Sequence, residues 1–172
     1  MNAKETLHYA IDSSTLGTVI VATSDRGVAA ILIADDASHA VRELRKAFPV
    51  ATLVEDRSFA GAALAAAVRL VDEPQSAFDL PLDLRGSELE QAVWQALRAI
   101  PAGATRSYGA LARTLPVPTT AQEVGAACAA NRIAVAVPCH RVVKADGGIS
   151  GYRWGVARKR RLINMEGVVC AR

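Results

Sequence analysis

Thr120-Ala121-Gln122-Glu123-Val124-Gly125-Ala126-Ala127-Cys128-Ala129-Ala130-Asn131 is the stretch on which the fold of the second half turns. Thr120 followed three residues later by Glu123 is a capping box, in which two side chains satisfy backbone N–H groups at a helix start. A helix running to about Ala130 is therefore expected. Gly125, Ala126, Ala127, Ala129 and Ala130 leave it almost without side-chain bulk. Upstream, residues 108–115 read as another short helix, stopped by Pro116 and Pro118. Two short helices joined by a tight turn make either a helix-turn-helix or an ordinary helical hairpin. Reading base edges in the major groove takes long polar side chains, which this second helix lacks. It instead permits close backbone approach, to another helix or into a narrow groove.

Further upstream, Ser87 can cap a helix with Glu88 and Glu90 in its first turn and Leu89, Val93, Trp94 and Leu97 on its buried face. Ile100-Pro101-Ala102-Gly103 ends it. The first half reads differently. Residues 6–11, 18–23 and 28–33 are β-prone runs separated by turn-rich segments. Helices are expected at 38–48 and 59–71, and residues 80–84 should run extended because Pro81 disfavours helix before it. The expected class is α+β: a small three-stranded antiparallel sheet with helices over 1–84, a linker at about 72–86, and a mainly helical domain over 85–172.

The 172 residues are 51% hydrophobic and 22% charged, a globular composition that excludes a disordered or fibrous chain. No run is apolar enough for a membrane helix, and Met1-Asn2-Ala3-Lys4-Glu5 does not read as a signal peptide. Residues 1–84 carry 7 Lys/Arg against 12 Asp/Glu, a net −5. The remaining 13 Lys/Arg against 5 Asp/Glu give residues 85–172 a net +8. That basic half either meets a polyanion or simply carries an excess of solvated arginine. Cys128, Cys139 and Cys170 are an odd count without paired spacing, which argues against a disulfide framework or a four-cysteine zinc site. A reduced, cytoplasmic compartment is expected.

Residues 133–137 form a short apolar strand candidate that runs into Pro138-Cys139-His140-Arg141. A cysteine attacks as thiolate, so a neighbouring cation or base must take or offset its proton. His140 and Arg141 are the local groups, and Glu166 is the only acid after Asp146, so Cys139, His140 and Glu166 could form a relay. Adjacent residues of an extended segment point to opposite faces, so a bridging water would be needed between Cys139 and His140. A structural cysteine beside a satisfied histidine is the ordinary alternative. Cys128 reads as packing, and His8 and His39 read as satisfied histidines rather than ligands.

Pro138-Cys139-His140-Arg141-Val142-Val143 resembles the active-site motif of the O6-alkylguanine-DNA alkyltransferases. The resemblance extends to Val93-Trp94-Gln95-Ala96-Leu97, Ser107-Tyr108-Gly109-Ala110-Leu111-Ala112, Asn131, Ser150-Gly151-Tyr152-Arg153-Trp154-Gly155 and Glu166. It covers about 85–167 strongly and is most similar to the alkyltransferase module of Ada-type adaptive-response regulators, without their cysteine-rich zinc module. It implies a ribonuclease-H-like first domain. It also implies a monomeric bacterial protein that flips an alkylated guanine out of duplex DNA and transfers the alkyl group irreversibly to Cys139. No metal or organic cofactor is implied. His140, through a water and backed by Glu166, would deprotonate Cys139. Tyr108 would contact the flipped base and donate a proton as guanine leaves. Asn131 would tie the helix pair to the active-site strand. Tyr152, Arg153, Trp154, Val142 and Cys128 would line the substrate pocket. Thr119, Thr120, Gln122, Gly125, Ala126, Ala129 and Arg141 would meet DNA, in the minor groove.

One departure stands out. Members of the family carry an arginine finger nine residues before the asparagine equivalent to Asn131, and here that residue is Gln122. Gln122 lacks the charge and planar stacking of a guanidinium, so extrusion of duplex lesions is expected to be weaker. Trp154 is expected to restrict the pocket to small alkyl groups. Two other function classes compete: a non-catalytic binder of alkylated DNA, which would not need Cys139, and a cysteine hydrolase using Cys139, His140 and Glu166.

Overall fold

In the computed structural model, which describes residues 4–167, the three β-prone runs form Thr6–Ser14 (β1), Gly17–Ser24 (β2) and Gly27–Ala34 (β3), an antiparallel meander. A fourth strand, Thr52–Glu55 (β4), adds to β1 in parallel, so the order is β3-β2-β1-β4. The sequence does not announce β4, because four mixed residues, largely exposed, carry no alternation of apolar and polar side chains. Ala37–Ala47 (α1) packs on β2 and β3, and Arg57–Asp72 (α2) packs on β1 and β2. Asp36 caps α1 by accepting from His39 N–H. Residues 80–84 run extended as expected: Val28 N–H donates to the Pro81 carbonyl and Asp83 N–H to the Val28 carbonyl. Gly27 is required beside them, since it has φ +142° and a Cβ there would sit 2.4 Å from Pro81 O.

The chain forms two compact units. The first comprises residues up to Asp72, Ser76–Leu84 and Arg132–Ala134; the second comprises Glu73–Gln75, Arg85–Asn131 and the chain from Val135 on. The helices of the second unit are Glu88–Arg98 (α3), Tyr108–Thr114 (α4), Ala121–Ala130 (α5) and Val156–Met165 (α6). The expected capping box, Thr120 with Glu123, starts α5, and Ser87 caps α3 as expected and completes a second box with Glu90. α3 buries Val93, Trp94 and Leu97, and Trp94 Nε1–H donates to the Ala127 carbonyl at 2.9 Å, fixing α3 to α5. α4 and α5 also pack on each other, as the helix pair requires. Arg106–Ser107 (β5) pairs in parallel with Val142–Val143 (β6), a two-stranded ladder that the sequence does not signal.

The expected strand at 133–137 is corrected. Ile133 makes an isolated bridge to Ile31, and Val135 adopts φ +67°. That left-handed conformation is costly for a β-branched residue and breaks any strand. Among the described residues no helix is long and apolar enough to cross a membrane. Cys170 lies outside the described residues.

Candidate active site around Cys139

Asn131 ends α5 as its C-cap, and its side-chain amide reaches across the following turn. Nδ2–H donates to the Val137 carbonyl at 3.0 Å and approaches Cys139 Sγ at 3.4 Å. Cys139 opens a single 3-10 turn, Cys139–Arg141, with all three side chains buried. The turn replaces the extended geometry assumed for Cys139 and His140.

The turn is held from α6. His140 Nε2 lies 2.7 Å from Glu166 Oε1, with both side chains fully buried. Arg141 grips the same carboxylate through Nε (3.1 Å to each oxygen) and Nη2 (2.8 Å), and its Nη1 donates to the Ile100 carbonyl at 2.6 Å. Arg141 was expected on DNA; its guanidinium is instead committed inside the unit, to Glu166 and to backbone carbonyls, because a buried carboxylate demands such a partner. Burial works to raise the pKa of Glu166, but the hydrogen bonds from His140 and Arg141 outweigh it and hold the carboxyl below its ordinary range. Burial pushes His140 down, and its bond to Glu166 does not reverse this, so the imidazole is neutral at pH 7. An ionised carboxylate only accepts, so His140 Nε2 carries the proton and Nδ1 holds a lone pair. Nδ1 is buried and without a hydrogen-bond partner.

Cys139 itself is 3% exposed. Burial drives its thiol pKa up, and the Asn131 amide, Lys159 and Arg153 pull it back only in part. The resting group is thus a thiol, as a cysteine that is to be deprotonated by His140 requires. Cys128 is pushed up to about 12, chiefly by burial.

Cys139 lies in a cleft of about 370 Å³ lined by Tyr108, Gly125, Cys128, Ala129, Cys139, Gly151, Tyr152 and Arg153. Six residues expected at the pocket or the helix pair therefore meet there with the cysteine: Tyr108, Gly125, Cys128, Ala129, Tyr152 and Arg153. Val142 and Trp154 do not line it. Val142 is in β6, and Trp154 stands behind the wall, edge-on to Tyr152 with ring centres 5.2 Å apart. The size filter assigned to Trp154 is thus not at the cleft surface. Gln122, Ala126 and Ala129 are exposed on α5, Thr120 is spent on its cap, and Thr119 Oγ1 donates to the Val117 carbonyl. Arg153 Nη1 donates to the Asn131 carbonyl at 3.0 Å, a second clamp on that residue.

Two polar residues of the site were given no role by the sequence. Lys159, on α6, is fully buried and donates to Ser150 Oγ, which contacts Tyr108 Oη. Lys159 sits in the basic run Arg158-Lys159-Arg160-Arg161, which adds to the positive charge of the second half. The signal within it is helical spacing, since Lys159 shares a stripe with the buried Leu162 and Ile163.

The second unit, built around a buried cysteine, matches at residues 88–168 the family described as 6-O-methylguanine DNA methyltransferase, DNA binding domain. The structure of Mycobacterium tuberculosis OGT in complex with DNA superposes with a TM-score of 0.75 at 34% identity, covering 92% of each chain. The bifunctional transcriptional activator/DNA repair enzyme Ada of Escherichia coli is 42% identical over 160 residues, 93% of this chain and 45% of Ada. A methylated-DNA–protein-cysteine methyltransferase of Mycolicibacterium paratuberculosis is 46% identical over 110 residues, 64% of this chain and 66% of that protein. The chain belongs to the O6-methylguanine-DNA methyltransferase family. It spans less than half the length of the Ada proteins it matches.

Proposed function

We propose that this protein repairs duplex DNA by moving the methyl group of O6-methylguanine to Cys139 Sγ. The observation that carries the reading is the buried His140 Nε2–Glu166 hydrogen bond, which leaves Nδ1 as a buried, unpartnered acceptor in the turn that carries Cys139. Nδ1 takes the thiol proton through one water molecule, and the resulting imidazolium is stabilised by Glu166. The thiolate attacks the methyl carbon, the S–C bond forms as the C–O6 bond breaks, and guanine leaves with the electron pair. Tyr108, at the cleft wall, supplies the proton that guanine takes up.

The thioether has no hydrolytic exit at this site, so each molecule acts once. An exposed α5 surface of Gln122, Ala126 and Ala129 suits binding through phosphates and shape in the minor groove, without sequence selection. The lesion must leave the stack to reach Cys139, at a cost of a few kcal/mol. We place the protein in the cytoplasm as a monomer.

Mixing the protein with a duplex carrying O6-methylguanine and mapping added mass by peptide tests the reading. One methyl per molecule, confined to Cys139, is the expected result. Tight lesion binding without methylation would make it a recognition protein. Neither methylation nor DNA binding would favour a hydrolase built on the same three residues.

A further inference from the structure

Among the described residues, two of the four buried side-chain polar atoms without a hydrogen-bond partner belong to one ring pair of the site. They are His140 Nδ1 and Tyr152 Oη, on rings whose centres lie 6.5 Å apart at 81°, an edge-on contact. Tyr152 walls the cleft that Cys139 also lines, and Trp154 buttresses its ring edge-on at 5.2 Å. Cys139 is the group whose negative charge bears most on the Tyr152 hydroxyl, followed by Glu166. A buried polar group left unpaired is costly, and one water held between the two rings would satisfy both. We propose that Tyr152 is a positioning residue whose hydroxyl is the second anchor of the water through which Cys139 passes its proton to His140.

The donors fix the arrangement. His140 Nδ1 can only accept, because Nε2 carries the ring proton, so the water donates to it. The Tyr152 hydroxyl and the Cys139 thiol both donate to the water oxygen, which gives it the three bonds usual for a buried water. As the thiol proton passes to the water, the water gives one of its own to Nδ1. The S–H bond and one water O–H bond break, and a new O–H bond and the Nδ1–H bond form. Thiolate and imidazolium result, and the water stays neutral. Tyr152 neither gives up nor takes a proton. Burial, together with the negative charge of Cys139 and Glu166, holds its hydroxyl well above the ordinary tyrosine range, so it remains a donor throughout. The other charges that reach the relay come from Arg158 and Lys159 on α6, Arg141 in the turn and Arg153 at the cleft.

The proposal rests on the proton route of the repair reading, and its test can be read without DNA. Iodoacetamide alkylates Cys139 with loss of iodide, so its rate follows removal of the thiol proton. That rate, followed at Cys139 by peptide mass, is measured for wild type and Tyr152→Phe from mildly acidic to alkaline pH. Single-turnover methyl transfer from an O6-methylguanine duplex and urea unfolding are measured beside it. Phenylalanine keeps the wall and its ring contacts and deletes the hydroxyl alone. Both rates should fall together by about tenfold at neutral pH. The iodoacetamide rate should return to that of wild type at alkaline pH, where hydroxide takes the thiol proton. The urea midpoint should fall, because the water loses a donor, whereas deleting a hydroxyl that truly had no partner would raise it. An iodoacetamide rate within about twofold of wild type at neutral pH overturns the water anchor, even where methyl transfer is lost, since Tyr152 is then only a wall for the base. A deficit that persists at alkaline pH, or a higher urea midpoint, overturns it too. Wild-type protein that reacts with iodoacetamide but takes no methyl overturns the repair reading instead, and the role of Tyr152 is still decided by the iodoacetamide rates.

Discussion

α5 and the Cys139–Arg141 turn both abut Asn131, and they are built in opposite ways. α5 offers small exposed side chains, Ala126 and Ala129, with Gly125 half-buried at the cleft. The turn buries cysteine, histidine and arginine together and spends two of them on one carboxylate. On the proposed reading, the α5 surface is slim so that duplex DNA can come close, and the groups of the turn are buried, where charges and proton affinities are set chiefly by fixed partners.

Removing the charge that organises the turn should have the largest effect. Glu166→Gln leaves His140 and Arg141 buried without their shared anion, and loss of about 3 kcal/mol of stability is expected. Methyl transfer should fall by about a hundredfold, because the imidazolium loses its counter-charge. The pH dependence follows from the two directions of shift. The pKa of His140 is held below 6.5, so stability falls as pH drops below that ordinary value and the unfolded chain takes up a proton that the fold refuses. The pKa of Glu166 is held below 4.5, so its contribution is present above 4.5 and is lost as pH falls through the lowered value. Urea unfolding across pH should show both declines in the wild type and lose the lower one in Glu166→Gln. A variant as stable and as fast as wild type would mean the carboxylate is not what orders the turn.

On the α5 side the expected effects are smaller. Gln122 is exposed near the start of the helix, where a guanidinium could fill the space left by an extruded base. Gln122→Arg should raise the single-turnover rate on a duplex lesion about tenfold and leave the rate on a single-stranded lesion within about twofold. An unchanged duplex rate would show that extrusion does not limit this protein.

The same contrast explains what the sequence disclosed. The helix starts were legible because capping is local: Thr120 with Glu123 and Ser87 with Glu90 sit three residues apart. The strands β1–β3 were legible from apolar runs between turn signals. β4 was not, since its identity comes from pairing with β1 and not from its own four residues. α6 went unread because its basic run hides the buried stripe of Lys159, Leu162 and Ile163. At the site, Cys139, His140 and Glu166 were legible as a chemical set. Arg141 was misplaced because its partner lies 25 residues away, a tertiary pairing with no local signature. The strand expected at 133–137 failed for the converse reason: an apolar composition gave no hint of the positive φ at Val135.

The slimness of α5 can itself be tested at one methyl group. A Cβ at Gly125 would lie 3.9 Å from Tyr108 Cδ1 and Cε1, an ordinary contact, so alanine fits without displacement. Glycine within a helix is worse than alanine by about 0.5–1 kcal/mol. Gly125→Ala should therefore raise Tm by about 1–4 °C. The same methyl projects into the cleft that Gly125 lines, so transfer of a benzyl group should slow relative to methyl. A gain in stability with falling benzyl transfer would mean that glycine is kept there for room at the cleft, at the expense of the helix. A gain in stability with the benzyl-to-methyl ratio unchanged would move the size limit elsewhere, to the Tyr152 wall and the Trp154 ring behind it.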